Sequence, residues 1–361
     1  MSSPFLPDYA EARARFLDRA QAANAAIASH QHPLRGPKGE KLFMDAAVIG
    51  PADARNALVL LSATHGVEGI CGSGIQSQFL ADRVALPPDT LLLLVHAVNP
   101  HGFAWSRRVT EDGVDLNRNF IDFTRPLPEN PDYDRAVADA LVPPDWFGEA
   151  KGQADTWLLN WAMERGGIQA LATAVPRGQY VHPFAPFFGG HGAGWSNRTV
   201  RQVLKETLAG CSGLVAMIDY HTGLGENGTG QLIGAGRAGS SLAMLGRQAW
   251  GEAFVLPSDA GTVSYEMTGA LLDAAADSLP AGARMIGGAH EFGTLSGPEV
   301  LEALRADHWL HTHGDFAADY AAGIKHQMRT AFFDDSAAWR DSILERARAI
   351  QAQAITALRN A

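Results

Sequence analysis

Nearly uninterrupted apolar runs punctuate this chain at residues 57–63, 91–98, 213–220 and 284–291, among them Ala57-Leu58-Val59-Leu60-Leu61 and Leu214-Val215-Ala216-Met217-Ile218. Lacking the polar alternation of a half-solvated sheet, they predict strands buried on both faces. Helical spacing recurs between them. Tyr9, Ala12, Phe16, Leu17, Ala20 and Ala23 predict a helix within 7–30, and further helices are predicted over 69–83, 153–174, 197–209, 240–250, 297–306 and 336–358. The Pro-rich, acidic stretch 122–152 reads as a surface excursion and not a domain linker, because the strand–helix alternation resumes after it in the same style. The expected architecture is one α/β domain over 1–361, doubly wound around a mostly parallel or mixed sheet, with a helical insertion around 122–210.

Composition narrows the partners. With 46% hydrophobic and 19% charged residues, the 361-residue chain can bury a sizeable core. A net charge of -10 argues against nucleic acid or an anionic membrane surface as partner. No apolar run approaches the ~20 residues that span a bilayer. The first residues also lack the basic and apolar regions of a secretory signal, so the cytoplasm is the expected location. Cys71 and Cys211, each in apolar surroundings, are expected to be buried free thiols.

Chemistry concentrates at strand ends. His65-Gly66-Val67-Glu68 follows the first apolar strand, placing an imidazole and a carboxylate three residues apart. This ligand mix suits a catalytic Zn²⁺ with an open position. His-x-x-Glu arises often by chance, however, so a third ligand is required. Asp219-Tyr220-His221-Thr222 offers one, because His221 ends another apolar strand and open α/β sheets form their crevice at such ends. His96 and His101 flank the same sheet edge and compete for the role. His308, His311 and His313 follow no apolar strand and read as structural or solvent-facing. Between the two motifs lie Asn99-Pro100-His101-Gly102, Arg107-Arg108 and Asp115-Leu116-Asn117-Arg118-Asn119. Guanidinium forks near a metal would trap a carboxylate or a developing oxyanion; the plainer alternative is a polar loop with solvated arginines.

In order and wording these motifs resemble those of zinc metallocarboxypeptidases of the carboxypeptidase A type, most closely a little-characterised bacterial branch. The resemblance continues downstream in Tyr265-x-x-Thr268-Gly269-x-x-Leu272-Asp273 and in Glu291-Phe292-Gly293-Thr294, and runs from about residue 57 to 294. It implies the zinc-carboxypeptidase fold and one Zn²⁺ held by His65, Glu68 and His221. Glu291 would be the general base, and Asp115 would orient a histidine ligand. Arg108 would stabilise the oxyanion, with Arg107 as its rival. Asn117 and Arg118 would grip a substrate carboxylate, Tyr265 would close over it, and Leu272 would tune the side-chain pocket. The implied substrate is a small molecule or short peptide with a free carboxylate beside the scissile amide. The stretch between Glu68 and His221 is longer than in the digestive enzymes, and Pro183–Gly190 within it could cover the cleft against long peptides.

Three other readings compete. Gly234-x-Gly236-x-x-Gly239, with Asp259 beyond it, matches a dinucleotide fingerprint, although the preceding strand is short and no second nucleotide-binding half is evident. A serine hydrolase is disfavoured because no Gly-x-Ser-x-Gly elbow follows a strand. A catalytically inactive metal-binding or sensory protein would leave Glu291 and the arginines without a shared purpose.

Overall fold

The computed structural model describes residues 3–361. Eight strands form one mixed sheet: β1 (Ala26–Arg35), β2 (Lys41–Ile49), β3 (Asn56–Leu61), β4 (Thr90–His96), β5 (Leu214–Asn227), β6 (Gly230–Gly234), β7 (Phe254–Val255) and β8 (Arg284–Gly293). Their spatial order is β1-β2-β4-β3-β5-β8-β6-β7. The centre, β4-β3-β5-β8, is parallel, whereas β1, β2 and β6 join by antiparallel pairing.

The apolar runs become these central strands because both faces are covered. Leu58 and Leu60 of β3 pack into one apolar cluster with Phe16, Ile75, Phe79 and Ile350 of the flanking helices. Ala57, Val59 and Leu61 pack into a second, opposite cluster with Val200, Val203 and Leu271. Alternate side chains of a strand point to opposite faces, so a strand sandwiched between two helical layers needs no polar positions.

Several sequence expectations are corrected. The first helix ends at Ala22, and the chain is already in β1 by Ala26, so residues 26–30 are strand and not helix. β1 is an edge strand with mostly exposed side chains, which erases the apolar pattern that would have announced it. The helix expected over 153–174 is two helices, Glu149–Glu164 and Ile168–Ala174, parted by Gly166 and Gly167 at φ +98° and +114°. The helix Asp319–Phe332 was not expected. Nor is 122–152 merely a surface excursion. Tyr133, Val137, Ala138 and Leu141 are buried in a third apolar cluster with Leu158, Trp161, Leu304, Trp309, Met328 and Phe332. Cys71 and Cys211 are buried and free. Among the described residues, no helix is long and apolar enough to cross a membrane.

Three buried histidines make stability depend on pH. Burial pushes the imidazoles of His96 and His308 down to about 4 and that of His290 down to about 3. They stay neutral in the folded chain, whereas in the unfolded chain they protonate near 6.5. Unfolding therefore takes up protons below about pH 6.5. Stability is full above that value and falls on acidification toward about pH 4, by about 1.4 kcal/mol per pH unit for each imidazole. Urea unfolding at about pH 7.5 and about pH 5 measures the loss; equal unfolding free energies would contradict it.

Candidate metal centre

From β3 the chain returns through the helix Gly69–Asp82 to β4 on one side, while β5 lies on the other. The carboxyl ends of β3 and β5 thus flank a switch point in the winding, where α/β sheets leave a crevice. Ala63, at φ +57°, turns the chain out of β3, and Gly66–Glu68 forms a single 3-10 turn. Gly66 admits no side chain, since a Cβ there would run into the backbone of Gly102 and Phe103. This close approach puts His65 and Glu68 over the crevice.

His221 meets them from β5. The Nδ1 atoms of His65 and His221 lie 3.1 Å apart. His65 Nδ1 is 3.0 Å from Glu68 Oε1, and His221 Nδ1 is 2.9 Å from Glu68 Oε2. All three side chains are buried, with one ligand atom from each lying within 4.8 Å of the others. On their far sides, His65 Nε2 is 3.1 Å from Asp115 Oδ1 and His221 Nε2 is 2.8 Å from Asp219 Oδ2. With each Nε2–H given to a carboxylate, both Nδ1 lone pairs and the Glu68 carboxylate face one point. That arrangement fits a cation. Tetrahedral ligand atoms about 2.0 Å from zinc stand about 3.3 Å apart, close to the separations found here.

Asp219 was quoted in the sequence motif but given no role there. It lies two residues before His221 on the same strand and therefore on the same face. Its other oxygen accepts a hydrogen bond from Thr64 Oγ1 at 3.0 Å, which fixes the carboxylate. Asp219→Asn is expected to weaken binding of a metal at this cluster by about 10- to 100-fold. Competition against a chromophoric chelator measures this, and unchanged affinity would count against the role.

The electrostatics are those of a charge-dense, dry site. Burial works against ionisation of Glu68, but His65 and His221 hold its carboxyl well below the usual range. Asp115 is likewise held low against burial, by Arg108, His65 and Arg118. Burial works against the charge of His221 too, yet Asp219 and Glu68 raise its imidazole well above the ordinary value. Positive charge is thus drawn to the point where the ligands meet.

Glu291 is the register partner of His221 on the adjacent strand β8, so the two side chains project from the same face. Leu224 N–H donates to its Oε1 at 3.1 Å, and its other oxygen bonds to no described residue. Burial, and then the charge of Glu68, push its carboxyl up to about 8.

The two arginines part company. Arg108 donates from NH1 to Glu68 Oε1 and from Nε to Asp115 Oδ2, each at 3.0 Å, so it borders the metal cluster. Arg107 points elsewhere and donates from Nε to Asp307 Oδ2 at 2.9 Å. Asp115 caps the short helix Leu116–Asn119 through Asn117 N–H, presenting Asn117 and Arg118 beside the cluster. Asn117 Oδ1 accepts from Leu271 N–H at 3.1 Å, and its Nδ2 donates to no described residue. Arg118 is fully buried. It donates to the carbonyls of Pro176 and Asn117, to Met267 Sδ and to the Tyr265 hydroxyl. Tyr265 also lays its ring 5.6 Å from the guanidinium carbon. Leu272 is buried in the second apolar cluster, one residue beyond the Leu271 N–H that bonds Asn117.

The stretch 176–192 also reaches this region. Pro176 occupies Arg118, the Tyr180 hydroxyl donates to the Arg118 carbonyl, and Gly189 and Gly192 accept from Asn119 Nδ2. Phe187, a non-glycine residue at φ +59°, lays its ring 5.4 Å from the Arg108 guanidinium carbon and 5.7 Å from that of Arg118.

The competing histidines lie elsewhere. His96 faces Ser73 and the Phe16 ring, His101 stacks on Trp105, and His308 bonds to the Phe184 carbonyl. The glycine loop has a packing explanation. Gly234 abuts the Phe254 ring, and Gly236 N–H donates to Asp273, whose charge would repel a phosphate. Asp259 is paired with Arg247.

This α/β chain with a buried His-Glu-His cluster belongs to the family described as "Protein of unknown function (DUF2817)", which matches residues 5–346. No curated protein matches it. It is similar to the solved structure of bovine thrombin-activatable fibrinolysis inhibitor in complex with tick carboxypeptidase inhibitor. That pair is 10% identical, over 94% of this chain and 97% of the other, with a TM-score of 0.46. The succinylglutamate desuccinylase of Chromobacterium violaceum is 15% identical over 87% of this chain and 72% of its own, with a TM-score of 0.36. The murein-tripeptide amidase MpaA of Escherichia coli O157 is 16% identical over 84% and 92%, with a TM-score of 0.32.

Proposed function

We propose that this protein is a zinc-dependent hydrolase that cleaves an amide bond beside a free carboxylate, as in an N-acyl amino acid or a short peptide. One observation carries the reading: three buried groups, His65, Glu68 and His221, converge on one point with Glu291 on the next strand and Arg108 alongside. Zinc held by these groups supplies Lewis-acid chemistry, acidifying a water and polarising a carbonyl.

Around it, the chain's own residues divide the work. Asp115 and Asp219 hold the two imidazoles as neutral ligands with their Nδ1 lone pairs inward. Glu291 has a free carboxylate oxygen; it takes the proton of the attacking water and hands it to the leaving nitrogen. Its upward shift by burial matches that task, since a base poised near neutrality both accepts and releases a proton. Arg108, locked by two carboxylates, offers its remaining N–H groups to the oxyanion. Asn117, with its amide donors free, receives the substrate carboxylate next to the charge of Arg118. Phe187 and Tyr265 wall the space around these guanidiniums, which favours a compact substrate over a long peptide.

A panel of N-acyl amino acids and dipeptides, each paired with its carboxamide analogue, tests the reading on zinc-loaded protein with chelator controls. The free acids are expected to turn over at least tenfold faster than their amides, because a charge-assisted contact to the carboxylate is lost in the amide. Hydrolysis confined to compounds without a carboxylate would overturn the substrate assignment.

A further inference from the structure

We infer that Asp307, distant in sequence from every metal and substrate residue, is a positioning residue that sets the His65–Glu68 turn through Arg107. The inference rests on the reading of that turn as a metal holder.

The turn has little of its own to hold it. Its backbone is held instead by Arg107 and Arg108: Gly66 N–H donates to the Arg108 carbonyl at 3.1 Å, and Val67 N–H to the Arg107 carbonyl at 2.8 Å. Together with the close approach of Gly66 to the backbone of Gly102 and Phe103, the position of these two carbonyls sets where His65 and Glu68 sit. The Arg108 side chain is committed to Glu68 and Asp115, inside the site. The dipeptide's backbone is tied to the neighbouring turn, with Arg107 N–H donating to the Gly102 carbonyl at 2.8 Å and Asn99 Nδ2 to the Arg108 carbonyl at 3.5 Å, while its side-chain anchor to the distant helix Gly297–Thr312 is the bond from Arg107 to Asp307. Asp307 is 1% exposed. Its other oxygen accepts from Lys325 Nζ at 2.5 Å, on the helix Asp319–Phe332, and Lys325 is steadied by His311 Nε2 at 2.8 Å. Two helices thus grip the dipeptide from behind, and Val67 packs into the same apolar cluster as their Leu304, Trp309 and Met328.

A buried cluster of two cations and one anion is a poor device for stability, because desolvating three charges offsets their attraction; apolar groups of similar volume often do as well or better. What apolar groups cannot do is fix one direction for the Arg107 side chain. The ion cluster does so, through a charged, directional hydrogen bond.

The test compares the wild-type chain with the triple variant Arg107→Leu, Asp307→Leu, Lys325→Met. Three readouts are taken: the thermal midpoint, hydrogen exchange at the Gly66 and Val67 amides, and zinc affinity against a chromophoric chelator. The expected result is a midpoint within a few degrees of wild type, amide exchange at least tenfold faster at both positions, and a zinc Kd raised at least tenfold. A folded triple variant with wild-type exchange at Gly66 and Val67 would overturn the proposal. Should that variant fail to fold, Arg107→Met alone carries the same comparison, since it removes the bond to Asp307 while Asp307 keeps Lys325, and native exchange there is equally decisive against it. A wild-type chain that binds no zinc sinks the functional reading separately, while the exchange measurement still decides the role of Asp307.

Discussion

Replacing Glu291 by glutamine is expected to lower kcat by about 10²- to 10⁴-fold, the range that a positioned general base contributes, while one zinc per chain is retained. The amide is nearly isosteric, and its carbonyl oxygen can still accept from Leu224 N–H, so the strand end and the adjacent His221 keep their places. What is lost is the ability to take a proton from water. Glu291 is not a member of the converging cluster, so the ligand set is intact. Steady-state kinetics on the best substrate of the panel, with metal analysis of the same preparation, separates the two effects. Turnover within threefold of wild type would sink the proposed mechanism, whatever the metal content.

The second large effect is expected at His221. His221→Ala removes one ligand of three and also takes a partner from two carboxylates: Asp219 loses the imidazole at 2.8 Å and keeps Thr64, and Glu68 loses the one at 2.9 Å and keeps His65 and Arg108. Both are buried, at 1% exposure, so poorer compensation of their charge adds to the lost coordination. Zinc affinity should fall by well over the roughly 100-fold that loss of an orienting carboxylate can cause. Hydrolysis should fall to the level of chelator-stripped wild type. Chelator competition and activity on the same samples measure both, and a variant that binds zinc as tightly as wild type would remove His221 from the ligand set. Asp219→Asn should fall between wild type and His221→Ala, which makes the series graded.

Much of this fold was legible because its core strands are buried on both faces. The stretch Ala57–Leu61 of β3, packed between apolar clusters on both faces of the sheet, carries no polar residue and so declares itself as an unbroken run. The elements that escaped are those whose burial is partial or borrowed. β1 shows solvent most of its side chains, and the segment around Val137 and Leu141 buries its few apolar residues in a cluster completed by helices Gly297–Thr312 and Asp319–Phe332, far along the chain.

The site divides along the same line. His65 and Glu68 can be paired from sequence because three residues of chain hold them close whatever the rest does, and the strand-end position of His221 and Glu291 follows from the apolar runs that precede them. Their convergence is a property of strand order: β5 lies against β3 on one side and β8 on the other, which puts His221 beside the turn and Glu291 beside His221. Only the tertiary structure separated Arg107 from Arg108. Adjacent in the chain, they are chemically identical; one faces Glu68 and Asp115, the other Asp307, because the backbone that joins them is bonded to the metal turn and directs successive side chains to different sides. Local spacing could nominate the ligands. The orientation of the two arginines depended on tertiary contacts, 40 residues back to Glu68 for Arg108 and 200 residues on to Asp307 for Arg107.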